Sequence, residues 1–388
     1  MKILHTSDWH LGHVLYGYDR TEEQQAMLNQ IEEIIKSEKP DAMVLSGDVY
    51  HTSQPSAAVQ TMFTEAIVAM HKACPTMTIV ITAGNHDSGT KHEIFQTPWR
   101  ELKVFAIGNI DKENLDSHII EVPRKGWIVA VPYTYERNIP EGFFQQLLDK
   151  VDERNIEGLP VVMMAHTTVD GCNFTGHDQT GERTIGGIDS VGLNALGTGY
   201  DYLALGHIHC PQTIDGSSDR VRYCGTPIAV SFDEAYEHSA SIVEIDKHDA
   251  APRVRIVAID PLHPLVTLPI EGFAPWDKVT ELLKDYPDDI SAYIRLNVEI
   301  VDFLPVGAME EAHAIAADKR CKVCFINPKR PEIERTKSKA LTVQEFQEMK
   351  PIDLLKRFFK DKNLPFDNET EEMLNDIINS LNEEERNK

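Results

Sequence analysis

Seven side chains of the kinds that bind metal ions come at five places within the first 209 residues. The five places are Asp8-Trp9-His10, Gly47-Asp48, Gly84-Asn85-His86-Asp87, His166 and Gly206-His207-Ile208-His209. A mononuclear zinc site with three protein ligands would leave most of this set unused, and magnesium usually takes oxygen ligands and water. Two aspartates, one asparagine and four histidines suit a pair of cations of the manganese, iron or zinc type.

Each of these polar groups follows a short apolar run that predicts a buried strand. The runs are Ile3–Leu4, Ala42–Leu45, Thr78–Thr82, Val161–Ala165 and Tyr202–Leu205. Ligands of open α/β sheets gather beyond the carboxyl ends of the strands, so we expect the polar groups to converge at one sheet edge. The alternation of these runs with helical patterns over roughly the first 265 residues predicts a layered α/β domain.

Two helices are predicted between the first three strands. In the first, Thr21 and Gln24 have the spacing of a capping box, and apolar residues then recur at helical spacing as far as Ile35. The second helix is predicted over Ala57–Lys72. Both helices lie between strands whose ends carry the polar groups, as a layered arrangement requires.

The composition is that of a globular protein, with 41% apolar and 26% charged residues in a chain of 388. Six cysteines do not indicate a disulfide framework in a chain of this length. Cys321 and Cys324 are a weak zinc signal, and buried positions on a strand are the more ordinary interpretation.

No run approaches the ~18 apolar residues of a membrane span. The start of the chain turns polar too early for a signal peptide, so we expect a cytoplasmic location and no membrane association.

Four segments are expected along the chain: a dimetal domain at 1–265, a small α+β domain at 266–327, a basic linker at 328–340 and a helical tail at 341–388. In the tail, Pro351 suits the first turn of one helix, and a second helix is expected after Pro365. The apolar positions of the two helices are Ile352, Leu355, Phe358 and Phe359, followed by Met373, Leu374, Ile377, Ile378 and Leu381. Such stripes must pack on the body of the protein or dock on a partner.

The net charge of −24 means that a polyanion would need a local basic patch or bound cations.

The ordered pattern D-x-H, G-D, G-N-H-D, H and G-H-x-H resembles that of the calcineurin-like metallophosphoesterases. Within them, the closer resemblance is to the SbcD family, the nuclease subunit of the SbcC–SbcD double-strand-break complex. The stretches that carry it are MKILHTSDWHLG at 1–12, SGDVYH at 46–51, DYLALGHIH at 201–209, YCGTP at 223–227 and SFDE at 231–234. Thr226 departs from the serine that the family more often shows. The resemblance covers residues 1 to about 265, and later segments match only in layout.

The resemblance implies an α/β fold: a layered metallophosphoesterase β-sandwich flanked by helices, with a small α+β second domain and a helical C-terminal tail. It also implies two Mn²⁺ or similar ions. The implied ligands are Asp8, His10, Asp48 and His209 for the first ion and Asp48, Asn85, His166 and His207 for the second, with Asp48 bridging.

His86 matches the family's general acid, Asp87 would orient it, and His51 would contact the scissile phosphate. From the residues alone, Asp87 could instead cap a helix, and His51 could be an ordinary loop histidine. Arg183 could contact a DNA phosphate or be a surface arginine.

The activity implied by the resemblance is that of a DNA nuclease, an exonuclease on duplex ends and an endonuclease on single strands and hairpins. It would act in DNA repair, recombination and replication. The implied partners are DNA, an SbcC-type coiled-coil ABC ATPase bound through the C-terminal helices, and a second copy of the chain. The alternative is a phosphomonoesterase or nucleotide phosphodiesterase, because the site and not the fold decides the substrate. Such an enzyme would need neither residues 266–330 nor the tail. An inactive scaffold for DNA ends is disfavoured by the intact metal positions and His86.

Overall fold

The computed structural model describes residues 1–135, 138–176, 190–301, 303–330, 349, 351–361, 366, 370–371 and 373–374. Two six-stranded sheets form the centre of this described part. The first sheet contains, in spatial order, β14 (Arg253–Ala258), β13 (Ser239–Glu244), β1 (Lys2–Thr6), β4 (Ala42–Ser46), β5 (Thr78–Thr82) and β6 (Val104–Ile107). The second contains β11 (Gln212–Thr213), β12 (Val221–Tyr223), β10 (Tyr202–Gly206), β9 (Val161–His166), β8 (Gly126–Ala130) and β7 (Ile119–Val122).

The strands that precede the predicted ligands pair in parallel. In the first sheet, β1 pairs with β4 and β4 with β5, and in the second sheet β8, β9 and β10 pair in the same way. Parallel strands have their carboxyl ends at one edge, so the loops after β1, β4, β5, β9 and β10 leave their sheets at corresponding ends. The predicted layered α/β fold is therefore confirmed, and the antiparallel strands lie toward the sheet edges.

Three apolar cores separate four layers. Between the sheets, Ile3, Val44 and Val80 of the first pack with residues such as Ile128 and Val162 of the second. The opposite face of the first sheet packs against α1 (Thr21–Glu38) and α2 (Ala57–Ala73), and that of the second packs against α5 (Phe143–Arg154). Both faces of the central strands are thus covered, which explains why they appear in the sequence as continuous apolar runs and not as alternating ones.

The start of α1 differs from its prediction. Arg20 occupies the N-cap position without a side-chain cap, and the side chain of Gln24 bonds to the backbone of residues 10–13. The capping box is therefore wrong, because a tertiary partner takes the group that the local motif would use. The predicted helix over Ala57–Lys72 is confirmed as α2, and Ser56 caps it by accepting a bond from the Val59 N–H.

A short hairpin, a three-stranded sheet and further helices lie outside the two six-stranded sheets. The remaining elements are β2 (Val14–Leu15), β3 (Tyr18–Asp19), α3 (Gly89–Glu93), α4 (Gln96–Glu101), β15 (Leu265–Leu268), α6 (Trp276–Asp285), β16 (Tyr293–Glu299), α7 (Ala308–Ala316) and β17 (Lys322–Lys329). Leu15 of the hairpin and Phe232 pack with Tyr293 of β16 and Cys324 of β17. Cys321 and Cys324 are both buried free thiols, as the structural interpretation of this pair predicts.

The chain divides into two compact units. One comprises Met1–Val298 with Pro305–Asn327, and the other comprises Glu299–Leu304 with the described residues from Pro328 onward. The predicted boundaries between segments stay predictions. In the second unit, α8 (Pro351–Asp361) begins at the proline that the sequence places in a first turn. The predicted linker residues after Arg330 and most of the second tail helix lie outside the described residues. No helix within the described ranges has the length and apolar character needed to span a membrane.

Candidate active site

The structure brings all seven predicted ligands together at the strand ends. They form two clusters, in each of which the ligand atoms lie within 4.8 Å of one another. One contains Asp8, His10 and His209, and the other contains Asp48, His166 and His207. Asn85 joins the second cluster, because its Oδ1 lies 3.0 Å from both His166 Nε2 and His207 Nδ1. Five loops from two sheets thus meet at one place.

The backbone that carries the ligands is strained and tightly tied. Asp8, His10, Asp48 and His207 have φ angles of +54°, +44°, +50° and +93°, a region that residues other than glycine seldom adopt. The Asp8 N–H donates to Gly47 O and the His10 N–H donates to Asp48 O, each at 3.0 Å. Such conformations persist where the surrounding structure fixes them, and they are concentrated at functional sites.

Two glycines make room for this convergence. A Cβ on Gly84 would lie 2.1 Å from Asp48 Oδ1, and one on Gly47 would lie 2.1 Å from the His166 ring. Neither position can carry a side chain without moving a predicted ligand. The glycines of the G-D and G-N-H-D motifs are therefore required by close packing around Asp48.

In the first cluster, His10 and His209 point their Nε2 atoms toward each other at 3.1 Å. His209 Nδ1 lies 2.9 Å from Glu234 Oε1, a carboxylate oxygen, so Nδ1 donates the bond. That bond leaves the Nε2 lone pair of a neutral His209 facing the cluster, which is the tautomer a metal requires. Asp8 accepts bonds from the His207 N–H at 3.0 Å and from the Ser7 hydroxyl.

In the second cluster, several hydrogen-bond acceptors face one another. His166 Nδ1 donates to the Ser46 carbonyl oxygen at 2.8 Å. The other nitrogen of that ring, Nε2, lies 3.0 Å from Asn85 Oδ1 and 3.3 Å from Asp48 Oδ2. A neutral His166 would therefore place three lone-pair atoms around one point. Such a set suits a cation better than it suits internal hydrogen bonding.

Asp48 faces both clusters. Its Oδ1 accepts a bond from the His86 N–H at 2.9 Å. Its Oδ2 is buried and accepts no hydrogen bond within the described part of the chain. This atom lies 3.3 Å from His166 Nε2 and 3.9 Å from His10 Nε2, one nitrogen from each cluster. The residues present therefore fit a pair of divalent cations that share this carboxylate.

The electrostatics of the clusters favour positive charge. Burial raises the pKa of Asp8, although His166 and His209 oppose that shift. Burial by itself lowers the pKa of His166, but the nearby charges of Asp48 and Asp8 and the bond to the Ser46 carbonyl oxygen together raise it to about 10. The carboxylates thus hold a proton strongly on the neighbouring ring. A divalent cation bound among the same atoms would displace that proton.

His86 and His51 lie beside the first cluster. The rings of His86 and His10 have centroids 5.0 Å apart, and those of His86 and His51 are 5.6 Å apart and nearly parallel. His86 Nδ1 donates to the His51 carbonyl oxygen at 2.9 Å. That bond fixes the orientation of the ring.

The carboxylate of Asp87 bonds to backbone groups around the site, and its role in orienting His86 stays a prediction. The carboxylate accepts bonds from the backbone N–H groups of Val49, Tyr50 and Gly84 at 3.0–3.1 and 2.9 Å. Burial opposes ionisation, but His92 and these backbone bonds hold the pKa of Asp87 below its ordinary value. The His86 ring itself donates to the His51 carbonyl oxygen. Asp87 thus ties the loop after β4 to the loop after β5, which also carries His86.

Glu234 is the functional residue that sequence reasoning missed. It is 5% exposed, and besides its bond to His209 it accepts bonds from the Val230 N–H at 3.2 Å and the Thr226 hydroxyl at 3.3 Å. Thr226 thus keeps the hydroxyl of the serine that the related family more often shows. The SFDE stretch at 231–234 marks Glu234 as part of the family pattern, but its bond to a ligand 25 residues earlier is visible only in the fold. Arg183 lies outside the described residues.

Two facing sheets whose strand ends hold paired Asp–His clusters define a metallophosphoesterase. Residues 1–211 match the family of calcineurin-like phosphoesterases, and residues 261–363 match the family described as the type 5 capsule protein repressor C-terminal domain. The chain is 34% identical to the SbcD subunit of the SbcCD nuclease from Rhodobacter capsulatus, with 73% of this chain and 75% of that protein covered. The SbcD subunit from Bacillus subtilis is 30% identical, with 81% and 82% covered.

The chain belongs to the SbcD nuclease family of the calcineurin-like phosphoesterases. It is a metal-dependent phosphodiesterase of the nuclease type, and the alternative phosphomonoesterase function is not favoured. The SbcD subunit from Escherichia coli K12 is also 30% identical, over 60% of this chain and 62% of that protein. Among solved structures, the match to an AHE enzyme from Alicyclobacillus herbarius covers 81% of this chain and 78% of that chain. The sequence identity is 11% and the TM-score is 0.20.

Proposed function

We propose that this chain is a manganese-dependent DNA nuclease that works with an SbcC-type ABC ATPase in DNA repair, recombination and replication. It degrades duplex DNA from its ends and cuts single strands and hairpins. The single observation that carries the proposal is the position of Asp48, whose Oδ2 faces one histidine of each cluster. The names of the relatives support the nuclease and its partner.

The residues that would hold the two ions are assigned from the clusters. Asp8, His10, Asp48 and His209 would bind the first ion, and Asp48, Asn85, His166 and His207 the second. The chemistry supplied by the bound pair is to clamp a phosphodiester and lower the pKa of a water molecule. The chain positions that chemistry with three strained loops, and Glu234 holds His209 in the required tautomer.

His86 delivers the proton that the leaving oxygen of the phosphodiester needs. Because Nδ1 donates to the His51 carbonyl, the transferable proton is the one on Nε2. The His51 ring, nearly parallel to that of His86, contacts the scissile phosphate. Asp87 keeps the two loops in register, so that His86 stays beside the first cluster.

The C-terminal helices bind the ATPase. In α8, Ile352, Leu355 and Phe359 recur at spacings of three and four residues, which places them on one helix face. Leu374 and the later apolar residues Ile377 and Leu381 form the second predicted anchor. A homodimer through helices of the nuclease domain would place two such sites on one assembly.

Digestion of linear duplex DNA tests this function, with p-nitrophenyl phosphate as a small phosphomonoester substrate. We expect manganese-dependent release of nucleotides from the duplex and little hydrolysis of the ester. Hydrolysis of the ester without digestion of DNA would contradict the proposal and favour a phosphomonoesterase. DNA binding without hydrolysis of either substrate would favour an inactive scaffold.

A further inference from the structure

Gln24, in the first turn of α1, is 2% exposed and uses its whole side-chain amide on one loop. Its Oε1 accepts a bond from the Gly12 N–H at 3.0 Å. Its Nε2 lies 3.4 Å from the His10 carbonyl oxygen and 3.3 Å from that of His13, and donates to both. One side chain therefore holds three backbone groups within four consecutive residues.

The loop held by Gln24 carries a predicted metal ligand in a strained conformation. His10 has a φ of +44° and Gly12 has a φ of +86°. The His13 N–H donates to the His10 carbonyl oxygen at 3.0 Å, which closes a tight turn. A left-handed conformation in a histidine is unfavourable unless contacts impose it. The amide of Gln24 supplies such contacts on the helix side of the turn.

The same turn is tied to the loop that follows β4. The Leu11 N–H donates to Val49 O at 2.9 Å, and the His51 N–H donates to Leu11 O at 3.0 Å. Together with the bond from the His10 N–H to Asp48 O, these bonds pair residues 10–11 with residues 48–51. Loss of the Gln24 contacts would therefore disturb the approach of His10 to Asp48.

The helix turn that carries Gln24 is itself fixed. The Gln24 N–H donates to Arg20 O at 2.9 Å, and Glu23 accepts a bond from the Tyr293 hydroxyl. The Arg20 guanidinium lies 5.8 Å from the centroid of the Tyr293 ring. These contacts fix the turn of α1 that carries Gln24, and the fixed backbone positions the side-chain amide accurately.

We propose that Gln24 is a positioning residue for the first metal cluster: it holds the backbone of His10 in the conformation that ligation requires. The inference rests on the proposed function for the identity of the ions. It concerns the affinity of one cluster, because the side-chain amide of Gln24 contacts the loop of His10, which is a ligand of the first cluster.

Manganese binding to the full chain tests this proposal through electron paramagnetic resonance of free Mn²⁺. The variant is Gln24→Met, which keeps the length of the side chain and removes its hydrogen bonds. The matched control is Gln25→Met, because Gln25 is exposed and its amide bonds to Asn29 at 3.0 Å, away from the loop of His10. Orienting groups of this kind typically change metal affinity by about 10–100-fold. We expect one of two ions to bind about 10–100-fold more weakly in Gln24→Met, and both to bind normally in the control.

Melting of the metal-free proteins separates positioning from simple loss of stability. A Gln24→Met protein that melts at a lower temperature but binds both ions as the wild type does would overturn the proposal. Should that variant not fold, Gln24→Glu keeps the acceptor for Gly12 and loses the donor to both carbonyls. A folded Gln24→Glu protein is expected to show the same selective weakening, and a normal isotherm overturns the proposal. If the wild type itself fails to bind two ions, the proposed function is what fails.

Discussion

At the scale of single residues, His86 combines proximity to the metal clusters with anchors that do not depend on metal. Its ring is fixed by the His51 carbonyl, and its backbone N–H donates to Asp48 Oδ1. A residue held in this way can lose its imidazole while the ligand side chains keep their positions. The first test of the mechanism is therefore a test of this ring.

We expect His86→Ala to retain both metal ions and to lose about 10²–10⁴-fold in the rate of DNA cleavage, the usual contribution of a general acid. Metal content and cleavage rate should be measured on one preparation. Cleavage within a few-fold of the wild-type rate, or loss of manganese together with the ring, would show that His86 has another role.

The sequence could predict which residues form the clusters, because Asp, Asn and His after apolar runs have few structural reasons to be there. It could not predict the roles that depend on tertiary hydrogen bonds. Asp87 bonds to the backbone of two loops and not to the His86 ring, and Glu234 reaches His209 from a distant loop. Residue type and spacing contain no information about such contacts.

At the scale of elements, the loops after β4 and β5 approach so closely that one added methyl group should push them apart. We expect Gly84→Ala to lower manganese stoichiometry, because the new Cβ would lie 2.1 Å from Asp48 Oδ1 and 2.3 Å from Asp48 N. Gly192→Ala is the control, since its Cβ would meet only Asp170 Oδ2, at 3.5 Å. Metal analysis of the two purified proteins distinguishes them. A fully loaded Gly84→Ala protein would contradict the close packing around Asp48.

The two sheets also enclose a histidine that is held neutral. His5 on β1 is fully buried, with Nδ1 2.9 Å from the Tyr202 hydroxyl, and burial lowers its pKa to about 3, with a further contribution from Arg222. The unfolded chain takes up a proton at His5 near pH ~6.5 and the folded chain does not. The contribution of His5 to stability is therefore complete above about pH 6.5 and is lost as pH falls from there toward 3.

We expect His5→Asn to flatten the fall of unfolding free energy between about pH 6 and pH 4 by up to about 1.4 kcal/mol per pH unit. Denaturant titrations of both proteins over this range measure the slope, which is independent of any constant loss of stability. Above about pH 7 the slopes should agree. Parallel curves over the acidic range would mean that His5 is charged in the folded protein.

Strands and long helices were predictable because their apolar patterns reflect burial, as for β5 (Thr78–Thr82) and α2. The start of α1 was not. Thr21 and Gln24 satisfy the local capping pattern, but the loop at 10–13 offers Gln24 three partners that only the folded chain brings near. A local motif is reliable only where no tertiary contact competes for the same side chain.

At the scale of the whole molecule, the chain carries a net charge of −24 and yet acts on a polyanion. Bound cations and partner proteins must therefore supply much of the attraction to DNA. The apolar stripe of α8 offers a place for a partner, and its Leu355 and Phe359 are half-buried in the structure. The nuclease activity and the partner contact should then be separable.

We expect a chain truncated after Lys339 to bind manganese and cut DNA but not to co-purify with the ATPase, because it lacks both tail helices. In the full chain, Leu355→Asp should weaken that association by about 2 kcal/mol or more, as loss of an interface anchor often does. Asp353→Ala, at an exposed position of the same helix, is the control. A truncated protein that melts earlier and still captures the ATPase would show that the tail packs on its own chain.

Anomalous diffraction from crystals soaked in manganese tests most directly whether two ions share Asp48. Asp48 Oδ2 lies between His10 and His166, so we predict two peaks about 3.5–4 Å apart, both coordinated by Asp48. His209 and Asp8 should complete the first site, and Asn85 and His207 the second. A single ion, or two ions that do not share Asp48, would contradict this prediction.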